Sequence, residues 1–180
     1  MSNLSTNIRA SLLEKNACLV EYADVSDLSY EVLAGFKNVV SIAVALNPTI
    51  ISEISKGPTK KYYQEYNRVN NLLADLCNHA ADMITKEGHK AIALEATIKV
   101  VDLSNIDKQL PHKTVATKAG LGWIGKSALL ITKRYGAAVR LATVLTDAEL
   151  DLAEPVEKSM CGDYQQCVDH CPAKAIKGNN

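Results

Sequence analysis

Three cysteines stand close together near the carboxyl terminus, in the run Cys161-Gly-Asp-Tyr-Gln-Gln-Cys167-Val-Asp-His-Cys171-Pro172. Thiolates are soft ligands that favour iron-sulfur clusters, zinc and similar metals. A four-iron cluster run reads C-x2-C-x2-C-x3-C-P, with the fourth cysteine ligating a neighbouring cluster. Against that spacing Tyr164 stands where the second thiolate belongs, and a phenol oxygen is a harder and rarer ligand for iron. His170 carries an imidazole, but beside Cys171 on a helical turn it points away from Cys167. No second cysteine run precedes Asn180, because the other two of the five cysteines are Cys18 and Cys77. Cys161, Cys167 and Cys171 are therefore the candidate metal ligands, and two readings stay open. Either they bind metal in part or with thiols from a second chain, or they are reduced and metal-free. An odd number of cysteines grouped in this way suits a metal site in a reducing compartment better than a disulfide framework.

A second group of interest is Gly120-Leu-Gly-Trp-Ile-Gly-Lys-Ser127. It satisfies the dinucleotide pattern GxGxxG and the phosphate-loop pattern GxxxxGK[ST] at once. Both patterns work by delivering a buried strand to a glycine turn and then a long helix whose amides face the phosphates. The flanks here run the other way. His112 to Ala119 has helical character, and too few residues separate Lys126 from Gly136 for the required helix. The alternatives are a tight turn with Trp123 packed into the core, or a turn that also lines a cofactor pocket, with glycines admitting close approach and Trp123 supplying a flat wall.

These groups need a scaffold, and the rest of the sequence supplies one. Apolar residues at Ile8, Leu12 and Leu13 predict a short helix from Ser5 to Lys15. Alternation through Cys18, Val20 and Tyr22 predicts a strand, and the β-branched run Val39 to Leu46 a buried second one. The clearest periodicity is Tyr62, Tyr66, Val69, Leu73, Leu76, Ala80 and Met83, a long helix with one buried face. Cys77 lies on it and reads as a small buried hydrophobe, and the three tyrosines Tyr62, Tyr63 and Tyr66 as packing or the border of a large pocket. Gly88 falls where a left-handed helix end belongs, and a third strand is expected from Lys90 to Thr97. Leu129–Thr132 and Ala138–Thr146, with a turn at Lys133–Gly136, read as a hairpin at the end of the sheet. Beyond Asp147 the composition turns acidic and polar through Pro155 to Lys158, which marks a linker or surface segment. The expected organisation is an α/β (α+β) domain over 1–150 and a cysteine-bearing segment over 151–180.

At this point the wording of the sequence becomes specific. Leu110 to Ile131, centred on Ala-Gly-Leu-Gly-Trp-Ile-Gly-Lys, resembles the signature of epoxyqueuosine reductase-like proteins, and Gly57-Pro-Thr, Arg140-Leu, Leu145-Thr-Asp147 and the cysteine run agree with it. The resemblance implies a nitroreductase-like sheet flanked by helices that holds a cobalamin, followed by a ferredoxin-like module whose 4Fe-4S clusters feed it electrons. It also implies transfer RNA as the partner and deoxygenation of a modified base as the reaction. Gly120, Leu121, Gly122, Trp123, Gly125 and Lys126 match the motif directly and are the candidate cofactor-binding residues. Two departures stand out. The ferredoxin-like segment is truncated, with Tyr164 in a ligand position. The family's acidic segment before the glycine motif also does not superimpose on Asp107-Lys-Gln-Leu-Pro-His112. Asp107 and His112 are the candidate proton donors, since general acid catalysis needs reach and a suitable pKa.

Twenty basic residues balance twenty acidic ones, so no overall field draws the chain to nucleic acid or to an anionic membrane. No apolar run approaches the roughly 20 residues that span a bilayer, and Met1 to Ala10 carries no signal core. A cytoplasmic protein is expected. The function expected is iron-sulfur redox chemistry directed at a corrinoid-type cofactor, and the competing reading is a metal-free accessory or cofactor-binding module.

Overall fold

The computed structural model describes residues 3–55, 57–94, 96 and 110–178. Its centre is a four-stranded antiparallel sheet formed by β1 (Leu19–Asp24), β2 (Asn38–Ala45), β3 (Ala91–Leu94) and β6 (Val139–Thr146), in the spatial order β1-β2-β6-β3. A separate two-stranded ribbon pairs β4 (Trp123–Ile124) with β5 (Leu130–Ile131). The helices are α1 (Asn3–Glu14), α2 (Pro48–Ser52), α3 (Lys60–Lys86), α4 (His112–Lys118) and α5 (Gln166–Asp169).

The apolar run in β2 is continuous because this strand is covered on both faces. Val40, Ile42 and Val44 meet the layer made by α1 and α3, while Val39 and Ala43 meet the layer that contains α4. The central strands are antiparallel, yet neither face is left to solvent, so the usual alternation of apolar and polar residues is lost. On α3 the buried residues are Glu65, Val69, Leu73, Leu76, Cys77, Ala80 and Ile84. Each fully buried leucine or isoleucine contributes about 1.5–3 kcal/mol relative to exposure, so this one face anchors the helix. Thr59 caps its start by accepting from the Tyr62 amide, and Gly88 follows its end at φ +87°.

One expectation is corrected here. Leu129–Thr132 and β6 do not form a hairpin at the end of the sheet: β5 pairs with β4, and β6 lies inside the sheet between β2 and β3. The turn between them closes locally, through a bridge from Thr132 to Gly136. After β6 the chain returns across the domain. The amides of Asp151, Ala153 and Val156 donate to Ser5 Oγ (2.9 Å), the Tyr22 carbonyl (3.0 Å) and the Thr117 carbonyl (2.9 Å).

Candidate functional site

The first glycine of the motif ends a helix. Gly120 has φ +69°, its amide donates to the Thr117 carbonyl (3.1 Å), and the Leu121 amide donates to the Ala116 carbonyl (2.9 Å). That pair of bonds is the Schellman arrangement closing α4. Gly122 is required for another reason. A β-carbon there would lie 2.1 Å from the Ile131 carbonyl oxygen, because β4 runs against β5 at this point. Lys126 and Ser127 then enter a turn, in which the Ala128 amide donates to the Gly125 carbonyl and the Gly125 amide to the Leu129 carbonyl. The motif therefore leads from a helix end into a β-ribbon, which is the reverse of a phosphate loop, and the nucleotide-binding readings lose their geometry.

Trp123 is half-buried rather than packed in the core, and it borders two clefts. The larger, of about 650 Å³, lies between α4 and the segment after β6, and its walls include Thr117, Lys118, Ile124, Lys126, Val156 and Ser159. The smaller, of about 280 Å³, includes Glu21, Leu121, Gly122, Arg134, Val156 and Met160. Gly120 also borders the smaller cleft and Gly125 the larger, so all six candidate cofactor-binding residues lie on one or the other. Lys118 is tied at 2.8 Å to Asp27. The contributions of Val156 and Ser159 had no signal in the sequence, because the stretch around Pro155 reads as a linker or surface segment, and Thr117 lies in the run before the glycines without being singled out.

The cysteines have separate surroundings. Cys161 is half-buried, and its sulfur accepts from Trp123 Nε1 at 3.5 Å. Hydrogen bonding from Ser159, from Trp123 and from the Lys126 amide lowers its pKa below the ordinary thiol value. The Cys171 thiol is lowered as well, by the amides of Ala175 and Ile176. Burial does the opposite elsewhere, pushing Cys18 to about 11 and Cys77 to about 12, so the thiol on α3 is an inert part of the core. Tyr164 is 61% exposed, and its hydroxyl donates to Gln166 Oε1 at 2.9 Å. His170 Nδ1 sits 3.0 Å from the Gln166 carbonyl, a local contact within its own turn. Among the described residues no three histidine, cysteine, aspartate or glutamate side chains come together as a metal site. The donor set, three thiols with Tyr164 turned outward, does not fit a four-thiolate cluster.

His112 stands at the opposite end of α4 from Gly120. Its Nδ1 lies 2.8 Å from Thr143 Oγ1, and its ring borders a separate cavity of about 210 Å³ with Arg140 and Leu130. Asp107 lies outside the described residues. Tyr63 is exposed, and Tyr66 lies beneath the Arg140 guanidinium, 4.3 Å from ring centre to Cζ. None of the three tyrosines borders the clefts at Trp123.

No family model matches the chain. Its fold is that of a class of reductases. A reductive dehalogenase whose structure suggests a mechanism for B12-dependent dehalogenation superimposes with a TM-score of 0.75, at 18% identity over 97% of this chain and 26% of that one. An epoxyqueuosine reductase solved with an epoxyqueuosine-modified tRNA stem loop superimposes with a TM-score of 0.68, at 18% identity over 96% of this chain. The sequence narrows the relationship to the second group. The epoxyqueuosine reductase of Lactococcus garvieae is 42% identical over 65 residues, which are 36% of this chain and 18% of that protein. The chain is related to the epoxyqueuosine reductases in sequence and shares their fold, and it spans about half the length of the solved one, 52%. Among the described residues no helix is long and apolar enough to cross a membrane.

Proposed function

We propose that this chain is the cofactor-binding part of an epoxyqueuosine reductase-like oxidoreductase with a nitroreductase-like sheet, and that a corrinoid-type cofactor lies against Trp123. The observation that carries this reading is a half-buried indole, fixed by the glycines on either side of it and bordering a cleft of about 650 Å³. The lining suits a flat apolar ring with a polar rim. Trp123, Ile124 and Val156 offer apolar faces, and Thr114 and Thr117 offer hydroxyl oxygens that can accept from peripheral amides, while the ammonium groups of Lys118 and Lys126 at the rim are engaged by Asp27 and by the carbonyls of Gly162 and Tyr164. When bound, a corrinoid supplies a cobalt that exchanges electrons. The chain's own residues bind and orient the ring and keep water from the face that Trp123 covers.

The iron-sulfur part of the reading rests on Cys161, Cys167 and Cys171, and because these do not fit a complete cluster no electron step is drawn through them. The outward position of Tyr164 favours the second reading, a metal-free accessory or cofactor-binding module whose cluster motif is vestigial. A modified base of transfer RNA as substrate is carried over from the epoxyqueuosine reductase solved with an epoxyqueuosine-modified tRNA stem loop.

The test uses the single tryptophan of the chain. Hydroxocobalamin added to the purified chain should quench Trp123 emission saturably, and Val156→Arg, which fills the cleft, should weaken that binding by about tenfold or more. Absence of saturable quenching in a folded sample would sink the corrinoid reading. Iron and acid-labile sulfide per chain, measured after anaerobic reconstitution, decide between the two accounts of the cysteines.

A further inference from the structure

We infer that Lys126 forms a latch for the loop 161–164, and that this role accounts for the lysine that follows the last glycine of the motif. Its ammonium holds the loop, donating to the carbonyl oxygens of Gly162 at 2.7 Å and Tyr164 at 3.3 Å. Gly125 sits beside Lys126 in the ribbon, where a β-carbon would lie 2.7 Å from Ile131 Cγ1 and in ordinary contact, 3.4 Å, with Cys161 Sγ. Trp123 Nε1 supplies a donor to that sulfur. The loop is shaped to receive these groups, with the Cys161 amide donating to Ser159 Oγ at 3.3 Å and the Tyr164 amide to the Cys161 carbonyl at 3.0 Å.

The bonds from the ammonium use only backbone carbonyls at 162 and 164, so they place no demand on the side chain at 164. That is why a tyrosine can stand there, turned to solvent, with the loop still held. A lysine ammonium brings three donors on a flexible stem, which suits two carbonyls of one turn as well as it suits a phosphate. Sequence pattern alone does not separate the two uses. Because Val156 and Ser159 wall the larger cleft, holding the next turn of chain in place also fixes that wall. The inference stands on this geometry and does not depend on which cofactor occupies the cleft.

The test is made on the full chain, reading alkylation of each cysteine by mass spectrometry together with Trp123 emission. Lys126→Met keeps the alkyl stem and removes the donors. It should raise the alkylation rate of Cys161 by about tenfold, the loss expected for one charge-assisted hydrogen bond, leave Cys77 unreactive, and shift Trp123 emission to the red. Lys126→Arg should restore both readings. Trp123→Phe, as an independent variant, removes a donor to the sulfur without freeing the loop, and should lower Cys161 alkylation without altering that of Cys171. Unchanged Cys161 reactivity in folded Lys126→Met would overturn the latch. So would inorganic phosphate or ATP that raises the melting temperature of the wild type and not of Lys126→Met, since a ligand bound only to the folded state stabilises it.

Discussion

A β-carbon at Gly122 would lie 2.1 Å from the Ile131 carbonyl oxygen, and neither β4 nor β5 can move far without breaking the ribbon. Gly122→Ala is expected to cost about 2–3 kcal/mol, the upper end of ordinary overpacking, read as a lowered midpoint in chemical denaturation. A midpoint equal to the wild type would show that the ribbon yields. Tyr164 is constrained in the opposite sense, because its side chain meets solvent and Gln166. Tyr164→Cys should change stability by no more than about 0.5 kcal/mol and should raise the iron and sulfide retained after reconstitution. Unchanged metal content would mean that this position does not face a cluster even with a thiol in place. At this scale the sequence marked these residues by their pattern alone. The glycines at 120, 122 and 125 are conspicuous as a string, but what each one avoids is the Glu154 carbonyl, the Ile131 carbonyl or the Ile131 side chain, and string patterns carry no information about such neighbours.

The long helix α3 was legible because its periodicity is local. The buried residues drift as a 3.6-residue repeat requires, so Ile84 rather than Met83 completes the buried face. Strand pairing was less legible: the apolar runs around β5 and β6 mark strands, but pairing depends on partners far along the chain, and the expected hairpin dissolved into two sheets. One polar residue on the buried face of α3 links elements in a way no period reveals. Glu65, 6% exposed, accepts from the Asn47 amide at 2.9 Å and from Arg68 at 2.7 Å, and Asn47 in turn caps α2. The hydrogen bonds from Arg68 hold the Glu65 carboxyl below its ordinary value. Since the folded-state pKa is depressed, its contribution is present above the unfolded value of 4.5 and is lost as the pH falls through the folded one. Glu65→Gln should therefore lower stability at neutral pH by about 1–3 kcal/mol, with the difference from wild type shrinking in acid. Glu21, which desolvation shifts upward, works against this trend in both proteins and cancels in the comparison. A difference that stays constant from neutral pH down to strong acid would refute the assignment.

At the scale of the molecule, the segment after β6 turns a sheet layered on both faces into a domain with clefts. The sheet and its helices are complete by Thr146, and the chain then passes the outer edge of β1, where Ala153 bonds Tyr22, and the end of α4, where Val156 bonds Thr117. Val156 borders both clefts at Trp123, so neither would keep its shape if this segment lifted away. Composition pointed to a linker or surface segment there, and it does not separate either from a strap held by backbone amides. This arrangement makes a quantitative demand on dynamics. The amides of Ala153 and Val156 belong to single-stranded chain with few apolar neighbours, and such regions open at free energies well below global unfolding. In hydrogen exchange they should therefore lose protection before the amides of β2 and β6. A ligand that fills the cleft binds only while the segment is seated, so it should slow exchange at Val156 in proportion to its excess over the dissociation constant. Protection at Asn38–Ala45 should meanwhile stay set by global stability. If hydroxocobalamin quenches Trp123 emission while exchange at Val156 is unaltered, the ligand sits on an open face of the indole, and the segment is a cover for the sheet edge rather than a wall of the site.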